Sequence, residues 1–252
     1  MERVFGIHAV DSLLRRKPAS AQRLLVQSGR DDKRIRDIVE LARNQGVAVQ
    51  RISRKELDAL VEGRHQGAVV ECTDGSDGSA GQANLWSEAE LLASVAQADT
   101  PVLLLVLAGV TDPHNLGACL RSADAAGVHA VIVPKDKSAD LGPTARKVAC
   151  GAAETVPFVR VTNMARVLDG LKAAGIWLYG TDGDSEQPLY SADLTGPVAL
   201  VMGAEGQGMR RLTRESCDHL VHLPMAGSVS SLNVSVATGI CLFEAVRQRA
   251  SA

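Results

Sequence analysis

Beyond residue 100 the chain contains five continuous apolar segments, and these constrain its fold more than any other feature of the sequence. The segments occupy residues 102–107, 130–133, 156–159, 176–179 and 198–202. Uninterrupted apolar segments of this length are typical of strands buried on both faces, as in parallel sheets. Helical patterns lie between several of them, at residues 116–126, 144–152 and 165–174. The alternation predicts an α/β domain with a mostly parallel sheet, and we expect ligands at the carboxyl ends of its strands.

The N-terminal part of the chain predicts a second, smaller α/β domain. Helical patterns at residues 4–16, 35–41 and 57–61 alternate with strand patterns at 24–26, 47–49 and 68–70. The segment that follows, TDGSDGSAGQ at residues 73–82, is rich in Gly, Ser and Asp, which is typical of a flexible linker. We therefore predict a small domain at 1–72, a linker at 73–98 and a larger domain at 99–252.

Charge is distributed unevenly between these parts. The whole chain has a formal net charge of −2. Residues 1–72 carry 14 Lys and Arg against 10 Asp and Glu, whereas the remaining residues carry 13 against 19. A basic module joined to an acidic one suits the binding of a polyanion such as RNA. By charge alone, an ordinary solvated surface explains the distribution equally well.

Composition excludes several classes of function. Aromatic residues make up only 3% of the chain, so base stacking on aromatic platforms is not its main binding mode. No apolar segment approaches the ~18 residues of a membrane span, and the first residues lack the apolar core of a signal peptide. The five cysteines form no Cys-x-x-Cys pair, which indicates reduced cytoplasmic thiols and no zinc site. His219 and His222 have no evident third ligand, so we predict structural roles for them and no bound metal.

A loop of small and polar residues near the C-terminus indicates a binding site. Residues 223–235 (LPMAGSVSSLNVS) follow a short apolar segment and enter a helix whose start carries Ser231, Asn233 and Ser235. Ser and Asn favour helix starts because their side chains satisfy unpaired amides, but one such cap would be enough. Side chains this small also let a ligand lie directly against the backbone.

Two further loops follow predicted strands. The first, 109–117, places Asn115 near a helix start, with Arg121 about two turns later. The second, 201–209, has the spacing Gly-x-x-Gly-x-Gly around Glu205, which is neither the dinucleotide-binding fingerprint nor a P-loop. Taken singly, each loop has an ordinary explanation. The first is explained by a helix cap at Asn115 and a surface arginine, and the second by a glycine-rich turn with a solvated glutamate. Three such loops at strand exits of one domain predict a shared site.

The three motifs resemble those of a known family. Residues 115–122 (NLGACLRS), 202–208 (MGAEGQG) and 223–235 are similar to the motifs of the SpoU branch of the SPOUT RNA ribose methyltransferases. The resemblance runs through the whole chain, including GIHAV at residues 6–10. It implies a C-terminal SPOUT fold with a mostly parallel sheet and a trefoil knot, preceded by a small L30e-like α/β domain that binds RNA. It also implies a homodimer whose site is completed across the interface.

The same resemblance implies S-adenosylmethionine as the methyl donor, bound in the knot. Its adenine would be held largely by backbone around Gly203, Leu223 and Leu232. The full set of residues that the resemblance assigns to the cofactor is Met202, Gly203, Leu223, Met225, Ser230 and Leu232.

Arg121 is the catalytic centre by resemblance. A guanidinium keeps its proton beyond pH ~12, so stabilisation of a developing alkoxide and a backbone phosphate is a better role for it than that of a general base. Asn115, Ser231 and Asn233 would orient the ribose and Arg121. Glu205 would hold Arg121 or the methionine end of the cofactor.

The substrate implied by the resemblance is a guanosine ribose in the P-loop of domain V of 23S rRNA. The same chemistry on a tRNA or on another rRNA ribose remains an alternative, since substrate choice depends on the N-terminal module and on surface shape. A non-catalytic RNA-binding or ribosome-assembly protein with this fold is a second alternative.

Overall fold

The computed structural model of the chain describes residues 2–16, 18–61, 65–72, 84–204 and 208–251. The chain divides into two units, Met1–Ala83 and Asn84–Ala252. Both units have α/β architecture, as the alternating patterns predict.

The first unit is a four-stranded sheet with helices on both faces. Its elements are β1 (Glu2–Phe5), α1 (Ile7–Arg16), β2 (Ala21–Gln27), α2 (Lys33–Asn44), β3 (Ala48–Ile52), α3 (Arg54–Leu60) and β4 (Ala68–Cys72). The strand order is β1-β4-β2-β3, with only β2 and β3 parallel. Leu24 and Val26 pack in the same core as Ile35 and Ile38 of α2, while Leu25 packs against Leu57 of α3. Alternate residues of β2 thus serve two separate cores.

The beginning of the chain differs from the predicted helix at 4–16. Residues 2–5 form β1, which pairs antiparallel with β4, and the helix starts only at Ile7. Gly6 lies between them with φ +95°, a conformation that interrupts both elements. Val4 is buried as part of β1. It is therefore apolar because the strand packs in the core, and it does not belong to the helical spacing that begins at Ile7.

The second unit is built around a seven-stranded sheet in which every pair is parallel. Its strands are β5 (Leu85–Trp86), β6 (Leu103–Leu107), β7 (Ala130–Pro134), β8 (Phe158–Val161), β9 (Trp177–Thr181), β10 (Val198–Met202) and β11 (His219–Val221). Its helices are α4 (Glu88–Ala96), α5 (Pro113–Ala125), α6 (Pro143–Ala149), α7 (Ala152–Thr155), α8 (Met164–Ala173), α9 (Arg211–Ser216) and α10 (Val234–Arg249). Every residue of β6 and of β10 is buried, which confirms the prediction drawn from the continuous apolar segments.

The linker predicted at 73–98 is wrong in its second part. Leu85–Trp86 pairs with β8 at the sheet edge, and α4 follows directly after it. Ser87 caps α4 through a capping box with Glu90, and Leu91 is buried in the core of the second unit. The strand has only two residues and the helix nine, too little periodic pattern to distinguish them from a linker. Residues 73–83 lie outside the described residues, so a flexible linker there stays a prediction.

The helix predicted at 144–152 is divided into α6 and α7. Cys150 and Gly151 separate them, both with left-handed backbone, at φ 52° and φ 97° respectively. Two left-handed residues in succession end α6 and redirect the chain before α7 begins. The trefoil knot and the likeness of the first unit to L30e remain predictions.

Candidate active site

The three loops that the sequence singles out leave the same edge of the second sheet. Strand order β11-β9-β10-β6 places the exits of β6 and β10 side by side, with the exit of β11 two strands away from β10. Because all these strands are parallel, their carboxyl ends share one edge. The Ala108 N–H donates to the Met202 carbonyl at 2.9 Å, which joins the first and second loops where they leave the sheet.

The second loop folds back on itself immediately after β10. Ala204 and Gly208 exchange two backbone hydrogen bonds, at 2.9 and 3.0 Å. A Cβ added at Gly203 would lie 2.6 Å from the carbonyl carbon of Gly208, so no side chain fits there. Met202 is buried at the strand end. Glu205, the predicted partner of Arg121 or of the cofactor, lies outside the described residues.

The third loop exposes its backbone at this edge. Within the described part of the chain, the backbone between Leu223 and Leu232 makes no hydrogen bond with other protein groups. Ser230 and Ser231 are exposed, and Met225 and Leu232 keep about a third of their surface accessible, at 36% and 37%. A segment with available N–H and C=O groups and small side chains can bind a ligand through its backbone.

Two predicted site residues from distant parts of the chain come into contact. The Asn233 amide Nδ2 donates to Asn115 Oδ1 at 3.0 Å, and Asn233 Oδ1 caps α10 by accepting from the Ser235 N–H at 2.9 Å. Further along, Cys119 of α5 meets Thr238 of α10, with 3.5 Å between Sγ and Oγ1. The pairs follow the same order along both helices, so α5 and α10 lie side by side with their N-termini together. Both positive helix ends therefore point toward the same region.

Arg121 lies on α5 beyond this pair. Its side chain is exposed, and Nη1 lies 3.8 Å from Sγ of Cys150. In the described ranges it makes no hydrogen bond with Asn115, Ser231 or Asn233. The structure therefore brings Asn115 and Asn233 together directly, and places Arg121 on α5 with Asn115 but without a hydrogen bond to either asparagine.

Two groups at this edge escaped prediction. Cys150 contacts Arg121, but nothing in the sequence marks it among five scattered cysteines. The exit of β9 carries Thr181 and Asp182, and the Thr181 hydroxyl donates to the Val201 carbonyl at 3.2 Å. A hydrogen bond from the Arg214 guanidinium lowers the pKa of Asp182. This second group could have been predicted from the sequence, because Thr181 and Asp182 follow directly after the apolar segment of β9.

His219 and His114 each lie beside a protein group. The His219 ring stacks on Tyr179, with 4.8 Å between ring centroids and 20° between ring planes. His114 is exposed and lies beside the helix-capping Asp112, with 3.2 Å between Nδ1 and Oδ1. The described residues contain no group of three or more His, Cys, Asp or Glu arranged to hold a metal ion. In the same residues, no helix is long and apolar enough to cross a membrane.

The first unit has a cleft of about 320 Å³ between the end of β2, α3 and the start of β4. Arginine and glutamine side chains line it, together with one Asp–His pair and a glycine, and these residues are Gln27, Arg30, Arg54, Asp58, His65, Gln66 and Gly67. His65 Nε2 lies 2.9 Å from Asp58 Oδ1, and its Nδ1 accepts from the Gly67 N–H at 3.0 Å. These two bonds orient the buried imidazole and the backbone at the bottom of the cleft. The arginines and amides provide donors suited to phosphate and base edges.

Two family models match the two units. Residues 102–243 match the SpoU rRNA methylase family, and residues 3–76 match the RNA 2'-O ribose methyltransferase substrate-binding domain. Curated relatives are similar along nearly their whole length. A Pseudomonas syringae pv. tomato protein, 23S rRNA (guanosine-2'-O-)-methyltransferase RlmB, is 56% identical over 251 residues, covering 100% of this chain and 97% of its own. The Escherichia coli K12 protein of the same name is 56% identical over 249 residues, covering 98% of this chain and 99% of its own.

Solved structures agree with the fold along nearly the whole chain. The SpoU methyltransferase AviRb from Streptomyces viridochromogenes, in complex with the cofactor AdoMet, has a TM-score of 0.68 and 28% identity. The likeness covers 99% of this chain and 91% of AviRb. A second structure, of an RNA 2'-O ribose methyltransferase, has a TM-score of 0.70 and 26% identity over 98% of this chain and 88% of its own. The predicted resemblance is thus confirmed, and the chain belongs to the SpoU rRNA methylase family.

Proposed function

We propose that this protein transfers a methyl group from S-adenosylmethionine to the ribose 2'-hydroxyl of a guanosine in 23S rRNA. We further propose that the guanosine lies in the P-loop of domain V. Relatives that are 56% identical over nearly their whole length carry the name of this rRNA activity, and both family models are those of RNA ribose methylation. The basic first unit is the part that we expect to select the RNA.

The observation that carries the proposal is the bond between Asn233 and Asn115, 118 positions apart in the chain. It joins the first and third loops where two helix N-termini meet, with the Arg121 guanidinium exposed on one of these helices. Amide groups and helix ends that donate hydrogen bonds suit an oxygen-rich ligand such as a ribose phosphate. If each loop were only a turn or a helix cap, the two loops would not need to meet at one place.

The residues at the edge fit S-adenosylmethionine. The exposed backbone between Leu223 and Leu232 offers both donors and acceptors, which an adenine edge needs, and it begins on the same sheet edge as Gly203. When bound, S-adenosylmethionine supplies an electrophilic methyl group on a sulfonium. Met202, Met225 and Ser230 would complete the surroundings of this ligand.

The protein's part in the reaction is to align the ribose and to stabilise charge. Asn115 and Asn233 fix one another, and with Ser231 they orient the sugar, since alignment alone can contribute several kcal/mol to lowering a barrier. The Arg121 guanidinium stabilises the negative charge that develops on the 2'-oxygen and on the neighbouring phosphate. The hydroxyl proton then leaves to water. Glu205 would orient Arg121 or the donor's amino acid end.

We also propose that the protein acts as a homodimer in the cytoplasm, where its rRNA substrate is made. Support for the dimer comes from α10, on which Val236 and Phe243 lie two turns apart on one helix face and each expose 50% of their surface. Val229 of the third loop exposes 61%. Exposed apolar side chains that share one helix face are typical of a protein interface.

The RNA target is tested by primer extension at low dNTP concentration on 23S rRNA from a deletion strain. We expect the stop at the P-loop guanosine to disappear on deletion and to return with the wild-type gene. An unchanged stop would exclude this nucleotide and leave another rRNA or a tRNA ribose as the substrate. Calorimetry with S-adenosylmethionine separates the enzyme from a non-catalytic RNA-binding protein, which need not bind it.

The role of Arg121 is tested with Arg121→Ala. We expect methylation to be abolished while the Kd for S-adenosylmethionine stays near the wild-type value. The control is Arg166→Ala, which removes another exposed arginine, paired with Glu88 at 2.6 Å, and should remain active. If Arg121→Ala loses donor binding but keeps its turnover at saturation, the assignment is wrong.

A further inference from the structure

Cys150 adopts a backbone conformation that glycine normally provides. It ends α6 with φ 52° and ψ 40°, in the left-handed region, and the next residue, Gly151, is also left-handed. In this conformation a Cβ crowds the neighbouring carbonyl, so helices that end this way favour glycine at the position. The turn alone therefore does not explain why a cysteine, and not a glycine, occupies position 150.

The thiol of Cys150 lies against the guanidinium of Arg121. Arg121 Nη1 donates toward Sγ at 3.8 Å, while Sγ lies 3.7 Å from the Lys147 carbonyl and can donate to it. Both side chains are exposed, and Cys150 is the exposed member of the five cysteines. Among the described residues no carboxylate pairs with Arg121.

A sulfur partner differs from a carboxylate in a way that matters for catalysis. A carboxylate such as that of Glu205, in the role proposed above, would add an opposite charge beside the guanidinium, whereas a sulfur contact orients the guanidinium without adding a charge. Neutral sulfur is a weak acceptor, so it restricts the rotamers of Arg121 while leaving the positive charge available. A guanidinium carries five N–H donors, so a single contact to sulfur occupies a small part of them.

The position of Cys150 relative to α5 is well defined. A Cβ at Gly117 of α5 would lie 2.5 Å from the Ala145 carbonyl of α6, so the two helices approach at backbone distance. The Arg146 side chain also donates from Nε to the Leu141 carbonyl at 3.1 Å, which fixes the start of α6. Contacts this close leave little freedom between Arg121 on one helix and Cys150 at the end of the other.

We propose that Cys150 is a positioning residue for Arg121 and holds the guanidinium in its productive orientation through an N–H···S contact. The inference rests on the proposed role of Arg121 in methyl transfer. Cys150 itself touches neither RNA nor methyl donor in this account. Its effect should therefore appear in kcat and not in the binding of either ligand.

The test compares Cys150→Gly, Cys150→Ala and Cys150→Ser with the wild type, measuring kcat, KM for RNA and Kd for S-adenosylmethionine. Glycine keeps the left-handed backbone without strain, so a loss of activity in that variant cannot come from a misfolded turn. Loss of one orienting hydrogen bond should lower kcat about 5-fold in the Gly and Ala variants, with KM and Kd unchanged. Serine retains a hydrogen-bonding group and should restore kcat to within about 2-fold of wild type.

A double-mutant cycle completes the test. In an Arg121→Lys background, Cys150→Ala should have little further effect on kcat, because the group that it positions has been replaced. Unchanged kcat in both Cys150→Gly and Cys150→Ala, or equal effects of Cys150→Ala in both backgrounds, would refute the positioning role. A wild-type protein that does not methylate RNA would instead refute the proposed function, so the two failures are distinguishable.

Discussion

Gly117→Ala tests whether the close approach of α5 and α6 organises the site. Gly→Ala inside a helix ordinarily stabilises a protein by up to about 1 kcal/mol. Here the new Cβ would lie 2.5 Å from the Ala145 carbonyl oxygen and 2.7 Å from Val148 Cβ. Neither atom can swing aside, so the cost of overpacking should be near the upper end of about 1–3 kcal/mol. The net expectation is a loss of about 1–2 kcal/mol in the free energy of unfolding.

The assay is urea unfolding followed by circular dichroism, with amide hydrogen exchange in α5 and α6 to locate the effect. Gly170→Ala is the matched control, because Gly170 lies inside α8 and its added Cβ would meet only the two methyl groups of Leu92, at 3.8 and 3.9 Å. That variant should gain up to about 1 kcal/mol. Displacement of α6 by Gly117→Ala should also lower kcat, since Cys150 would move away from Arg121. If both variants gain stability equally, the packing argument is refuted.

Asn233 and Asp182 give two further predictions. Asn233→Asp should keep the helix cap on the Ser235 N–H and change stability little, yet lower kcat/KM because a carboxylate cannot donate to Asn115. Asn233→Ala should lower kcat/KM and also lose about 1 kcal/mol of stability with the cap. Equal kcat/KM for Asn233→Asp and the wild type would contradict this prediction. Asp182→Asn should lower the free energy of unfolding at pH 7 by about 0.5–1 kcal/mol, since the Arg214 partner is half exposed. The pKa of Asp182 is lowered in the folded protein, so this stabilisation is present above about pH 4 and disappears as the pH falls through the folded pKa. The free energies of unfolding of Asp182→Asn and the wild type should therefore converge in acid. A difference that stays constant down to pH 2 would show that the ionised carboxylate of Asp182 is not the source of the stabilisation.

Local sequence patterns predicted most of the second unit because they report burial. The five apolar segments became β6 to β10, since a strand without polar residues must be covered on both faces. The same reasoning missed β5 and α4, because a two-residue edge strand at Leu85–Trp86 has no alternation to detect. It also merged α6 with α7, since the helical pattern continues across Cys150 and only the backbone dihedral angles reveal the break.

The sequence by itself determined the family, the parallel α/β domain and the three loops, because each depends on residue types at short spacing. It also singled out Asn115, Arg121 and Asn233 as candidates. Only the tertiary structure decided which of them touch. Asn115 meets Asn233 across 118 positions, and Arg121 meets Cys150, which no motif indicates. Such contacts arise from the packing of α5 against α6 and α10, and packing depends on shape complementarity between segments that are distant in the chain.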